Sequence, residues 1–167
     1  RRLSPLSAVL DEARRFLSLP RQEPIADHRR ESPAPTGSPE AARRLFAMSK
    51  PISHTIAERY LRERGITDLR DCTSLRFHPR CWYRGDDNDP QDQVRDSWPA
   101  MTAAVTDLGG MITGAHRTWI DPSGRDKAPV STPRRAMGLL LGNGVRFGLA
   151  SDVIVAGEGI ETILSLR

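Results

Sequence analysis

Two acidic residues near the end of the chain have the types and spacing that could do chemistry. In Val153-Ile154-Val155-Ala156-Gly157-Glu158-Gly159-Ile160-Glu161-Thr162 an apolar run leads into a glycine-flanked glutamate and then a helix-like start. A strand over 152–156 would deliver Glu158 to its carboxyl end, where open α/β sheets place their active sites. Gly157 and Gly159 would leave room for backbone or phosphate to approach closely. Glu161 shares a helical face with Glu158 if the helix starts early. Two such carboxylates could help hold Mg²⁺ or Mn²⁺, which take oxygen ligands and bridge phosphates. The pattern equally suits a plain strand-to-helix turn in which Glu161 favours the positive helix N-terminus.

A basic stretch precedes this motif. His116, Arg117, Arg125, Lys127, Arg134, Arg135 and Arg146 fall within about thirty residues, and only Asp107, Asp121 and Asp126 oppose them between 98 and 150. Phosphate backbones are bound by such groups through counterion release. Trp119 could stack on a base, or fill a core. Strand alternation over 112–120 puts His116, Thr118 and Ile120 on one face and Arg117 and Trp119 on the other. The alternative is that the charges are solvated edges of a hairpin.

Several weaker signals lose to simpler readings. Cys72, His78 and Cys81 lack an evident fourth zinc ligand, so free thiols and a loop histidine are expected. Gly138, Gly142, Gly144 and Gly148 lack the Gly-Lys-Ser/Thr ending of a phosphate loop and read as turns. Asp86, Asp87 and Asp89 lack the spacing of a calcium loop and are expected to be solvated.

The elements that must position these residues follow from capping and periodicity. Ser4-Pro5 opens a helix whose apolar stripe over 6–17 is too short to bury itself, so 1–19 reads as the tail of a further N-terminal region. Residues 20–37, rich in proline and charge, read as a disordered linker. Ser38-Pro39 starts a short amphipathic helix. Ser53 is expected to cap a second, with Ile56, Ala57, Tyr60 and Leu61 inward, a Glu58–Arg62 pair outside and Gly65 at its end. A short strand is expected over 73–77, a polar loop over 85–96, and a hairpin of 101–106 with 111–120 around Asp107-Leu108-Gly109-Gly110. One or two helical turns are expected over 131–137 and a short strand over 145–147. The fold class is mixed α/β: a small α+β nucleic-acid-binding domain over 38–150, leading into a strand–turn–helix over 151–167.

The formal net charge of +4, from 25 basic and 21 acidic residues, fits a polyanion-facing surface without requiring one. No apolar run approaches the ~20 residues needed to cross a bilayer. With two cysteines and no signal core, the expected location is cytoplasmic, with no membrane partner.

The segment Gly157-Glu158-Gly159-Ile160-Glu161-Thr162-Ile163-Leu164-Ser165 resembles the first motif of Toprim domains, which occur in primases, topoisomerases and related nucleases. The form is similar to Toprim primases and primase-helicases of phages, plasmids and integrated elements. The similarity extends upstream through Ala57-Glu58-Arg59-Tyr60-Leu61, Arg64-Gly65-Ile66, Leu75-Arg76-Phe77-His78-Pro79, Trp98-Pro99-Ala100-Met101, Gly114-Ala115-His116-Arg117-Thr118-Trp119 and Lys127-Ala128-Pro129. The resemblance implies template-directed nucleotidyl transfer on single-stranded DNA, with nucleotide triphosphates as substrates and a helicase as partner in cis or trans. Glu158 would be the catalytic, metal-assisting carboxylate, beside an Asp-x-Asp pair expected beyond Arg167, with Mg²⁺ or Mn²⁺ as cofactor. Glu161 would be a further metal carboxylate, although replicative primases place their second acid one position later, where this chain has Thr162. His116, Arg117, Lys127, Arg134, Arg135 and Arg146 would lie along the DNA and nucleotide path. A zinc module would precede Arg1, and the chain as it stands would be an inactive fragment. A Toprim nuclease and a non-catalytic DNA-binding module are the competing readings.

Overall fold

Ser38 and Pro39 start the first helix among the described residues, as their types require. In a computed structural model describing residues 38–85, 89, 96–148 and 152–167, helix α1 (Pro39–Met48) has Ser38 as N-cap, its Oγ accepting from the Ala41 amide at 3.2 Å. The chain divides into two units, Arg1–Ala34 and Pro35–Arg167. The helix expected over 6–17, the linker 20–37 and the residues Asp86 and Asp87 lie outside the described residues.

The second unit is a mixed α+β fold with one antiparallel sheet in the order β1-β2-β3-β4-β5. Its strands are β1 (Lys50–Pro51), β2 (Leu75–Trp82), β3 (Ser97–Thr106), β4 (Ile112–Trp119) and β5 (Arg134–Gly138). Helix α2 (Ile56–Arg62) lies between β1 and β2, and α3 (Ile160–Leu164) follows the sheet. The N-cap of α2 is Thr55 rather than Ser53, and it makes no side-chain cap bond. Instead Glu58, in the first turn, reaches back to the His54 amide, and its other oxygen pairs with Arg62 at 2.7 Å. Gly65, at φ +75°, ends the turn.

Cross-strand partners share a face, so the register sorts side chains into two cores. On the α2 face, Ala57, Tyr60 and Leu61 of the helix pack with Leu75, Phe77, Met101, Ala103 and Ile120, and Leu164 of α3 joins them. On the α1 face, Leu45 packs against Cys81, Tyr83, Trp98, Ala100 and Trp119. A β-bulge separates the two contributions of β2. The register runs His78↔Ala100 then Cys81↔Trp98, so Pro79 and Arg80 together oppose Pro99. The extra residue turns Cys81 to the face opposite Phe77, and proline is tolerated where the ladder is already interrupted. Cys72 and Cys81 are free and buried in separate cores.

Three expected elements differ. Residues 131–137 are expected to hold one or two helical turns, yet Arg134–Gly138 is strand β5, in register with Gly114–Thr118 of β4. Pairing to a formed neighbour decides short segments that local propensity leaves open. At its end Gly138 has φ +86°, and a Cβ there would sit 2.4 Å from the Thr113 carbonyl oxygen. Residues 145–147 form no strand; one bridge, Thr106↔Gly144, precedes them, and Val145 and Phe147 pack on the α2-face core. Residues 152–157 form no strand either. Val153 and Ile154 are each 76% exposed, because no described strand pairs with them to supply a ladder or a covered face. The hairpin is present but longer, with β3 beginning at Ser97 and a bulge at Val105/Thr106.

Candidate functional site on the α2 face

The alternation of β4 and β5 divides the basic residues between the two faces. Thr118↔Arg134 and His116↔Ala136 lie on the α2 face, and Arg117↔Arg135 lies on the α1 face. Lys127 bridges Ile120 and so joins the α2 side. The single basic groove expected from the sequence is therefore two arrangements with different surroundings.

On the α2 face a cavity of about 650 Å³ opens between β4, β5, residues 143–148 and the segment 153–167. His116, Arg134, Arg146, Glu158 and Glu161 all line it, with Val145, Phe147 and Ile163 as apolar wall. Glu158 is exposed and makes no hydrogen bond or ion pair among the described residues. Glu161 is different: its side chain is 18% exposed, Oε1 accepts from the Tyr60 hydroxyl at 2.8 Å, and Oε2 lies 3.7 Å from Arg134. Burial pushes the Glu161 carboxyl up, but its own backbone amide, the Tyr60 hydroxyl and the charges of Arg134 and Lys127 outweigh this and hold it below its usual range. Burial and then Glu161 push the Tyr60 phenol well above its ordinary value. His116 is shifted down by burial and by Arg134, so it serves the cavity as a neutral ring near pH 7.

Gly157 and Gly159 lie close under side chains of α3. A Cβ on Gly157 would lie 2.9 Å from Ile163 Cδ1, and one on Gly159 would lie 2.9 Å from Thr162 Oγ1. Side chains of the first turn of α3 thus approach both glycines, which also line the cavity. Arg146 is also committed. Its Nη1 donates to the Thr106 and Asp107 carbonyls at 2.7 and 2.8 Å and to Thr106 Oγ1, bracing the hairpin tip at the cavity edge.

The α1 face holds Arg117 and Arg135 around buried aromatics. The Trp119 ring, 1% exposed, donates through Nε1 to the Cys81 carbonyl at 3.2 Å and meets the Tyr83 ring edge-on at 4.9 Å. It is core and presents no face to a base. Arg117 lies 5.0 Å over Trp119, with its Nε buried and without a hydrogen-bond partner among the described residues. Burial lowers its pKa from the usual arginine value, and Arg135 adds to this. Arg135 lies 4.7 Å over Tyr83, donating to the Arg84 carbonyl at 2.7 Å and to the Tyr83 hydroxyl at 3.2 Å. Asp89 is not solvated as expected; it is 8% exposed and accepts from the Ser131 amide at 2.6 Å and the Tyr83 hydroxyl at 3.0 Å.

Sequence reasoning did not place Tyr60 at the site. A tyrosine on the inward face of a helix must find a partner for its hydroxyl, and that requirement was the available signal. Whether these residues fit a divalent ion is decided by the donors. Mg²⁺ needs open carboxylate oxygens; Glu158 offers them, whereas both Glu161 oxygens already face donors. Among the described residues no group of three or more His, Cys, Asp or Glu is gathered, so Glu158 fits such an ion only as one ligand of a larger set. No helix among the described residues is long and apolar enough to cross a membrane.

With this geometry in place, comparison with known proteins gives a class without an activity. Residues 36–147 match the family described as "Domain of unknown function (DUF7146)", and the chain belongs to that family. No curated protein and no solved structure matches.

Proposed function

We propose that the chain is part of a Toprim-type primase, whose α2-face cavity binds single-stranded DNA and nucleotide triphosphate beside Glu158. The observation that carries this reading is the meeting of Arg134 and Glu158 in one cavity, a basic group for phosphate beside a free carboxylate. The Toprim-like run Gly157–Thr162 supports the same assignment. In this proposal Arg134 and Lys127 neutralise phosphate charge, which is most of what phosphoryl transfer asks of a protein. Glu158 supplies one carboxylate to a Mg²⁺ or Mn²⁺ site completed by the Asp-x-Asp pair that the resemblance places beyond Arg167. The ion, when bound, neutralises charge on the transferring phosphoryl group. The Toprim assignment of 153–167 belongs to this proposal as well.

The test is primer synthesis by the full-length protein on single-stranded DNA with labelled nucleotides and Mg²⁺ or Mn²⁺, beside Glu158→Gln. Product from the parent, and at least about 100-fold less from the variant, is expected if Glu158 works at the reacting phosphate. Shortened DNA in place of product would make the protein a nuclease. Binding without chemistry would leave a DNA-binding module.

A further inference from the structure

A line of contacts at the end of α2 joins the Asp126-Lys127 segment to α3 and β5, the two elements that bring Glu161 and Arg134 to the cavity. Arg64 lies 3.9 Å over the Tyr60 ring and 2.7 Å from Asp126, the residue before Lys127. Tyr60 is fully buried and donates to Glu161 on α3 at 2.8 Å, and Glu161 faces Arg134 on β5 at 3.7 Å. Leu164, one turn beyond Glu161, is buried in the same core as Tyr60. Helix α3 has only five residues, too few to be stable by itself. Its place is therefore set by these tertiary contacts, and Glu158 lies two residues before its start.

Glu161 is poorly placed to hold a cation. Tyr60 occupies one oxygen, and a cation beside the other would meet the Arg134 guanidinium. Exchanging the tyrosine hydroxyl for an ion would also leave a buried phenol unpaired. Glu158, by contrast, is unengaged among the described residues.

We propose that Glu161 is a positioning residue, not a metal ligand: with Tyr60 it locks α3 onto α2 and so fixes Glu158 in the wall that Arg134 also lines. The consequence for catalysis rests on the primase reading; the lock itself does not.

Two measurements on Tyr60→Phe, Glu161→Gln and Glu158→Gln separate the two. The first is hydrogen exchange of the 153–167 peptide in the 167-residue chain. Removing the Tyr60 hydroxyl is expected to raise exchange there by about tenfold while the β3–β4 hairpin is unchanged. If Tyr60→Phe does not fold, Glu161→Ala gives the same readout. The second uses the full-length protein, with Mn²⁺ binding followed by the electron-spin signal of the free ion and primer synthesis followed by rate. Glu161→Gln keeps an acceptor for Tyr60 and is expected to hold Mn²⁺ within about twofold of the parent. Tyr60→Phe should lower kcat by about tenfold with nucleotide KM within about twofold, the mark of a misplaced reacting group. Loss of Mn²⁺ in Glu161→Gln to the extent seen in Glu158→Gln would overturn the proposal, as would unchanged exchange in Tyr60→Phe. A parent that makes no primer refutes the primase reading, and the exchange result then decides the lock by itself.

Discussion

The two faces of the sheet treat neighbouring arginines in opposite ways. Arg134 and Arg135 are consecutive in sequence, yet Arg134 points to the α2 face, beside Glu161 and an open cavity, while Arg135 is bound into the α1 face by the Arg84 carbonyl and the Tyr83 ring. Arg117 and His116 divide the same way one strand earlier. The α1 face spends its cations on aromatic rings and backbone oxygens, so they hold the fold together. The α2 face places Arg134 at a cavity rim beside Glu161 and Glu158, whereas Arg146 at the same cavity is held by backbone oxygens. A run of basic residues in a strand is thus two sets with a period of two, set in different surroundings.

The largest effect expected from this contrast is at Trp119. Removing its ring from the α1-face core leaves the Tyr83 edge contact and both arginines without their platform. Trp119→Ala should cost about 3–5 kcal/mol of unfolding free energy, measured by urea or thermal melts. A loss below about 1 kcal/mol would mean that this face is not the packed core described here.

The next comparison exchanges the two neighbours. Arg135→Gln removes a stacked, hydrogen-bonded guanidinium and should lower stability by about 1–2 kcal/mol. Its effect on binding of a labelled single-stranded oligonucleotide should be small. Arg134→Gln, on a side chain 55% exposed, should leave the melt nearly unchanged. It should weaken oligonucleotide binding and reduce the slope of log affinity against log salt by about 0.7, the loss of one phosphate contact. Equal effects of both variants on binding would break the division into two faces.

Much of this was legible in the sequence, for reasons that also explain what was not. The cap at Ser38, the inward face of α2, the Glu58–Arg62 pair and the β3–β4 hairpin depend on residues within a few positions of one another. Alternation in β4 separated His116 from Arg117, and it did so correctly because the strand is regular there. Strand β5 is not legible locally because Arg134–Gly138 becomes a strand only by pairing with β4. Residues 152–157 have the composition of a buried strand, but composition does not supply a neighbouring strand. The engagement of Glu161 is not legible locally because its partner, Tyr60, is 101 residues away. The bulge at Pro79-Arg80 inverts the parity of β2, which no local pattern announces. Contacts that close over long sequence separations are where the site was hidden.

The smallest predicted effect tests the electrostatics of the α2 face. His116 sits below its ordinary value of 6.5 because burial and then Arg134 disfavour its charged form. In the unfolded chain the same ring takes up its proton near pH 6.5. Between those two values the unfolded state binds more protons than the folded state. The stability His116 contributes is therefore complete above about pH 6.5 and is lost as pH falls through the folded value. His78 is lowered by burial and acts in the same window, so the parent alone does not isolate His116. The difference between the parent and His116→Gln does. Thermal melts from pH 7.5 to 5 should show the parent losing slightly more than the variant, by about 2 °C or less, since His116 is shielded on one side only and the water reaching its other side screens it. In an Arg134→Gln background the difference should shrink, because one of the two causes is gone. A parent and a variant that fall in parallel would mean that His116 titrates as a free surface histidine, and that the α2-face cavity exerts no field on its own wall.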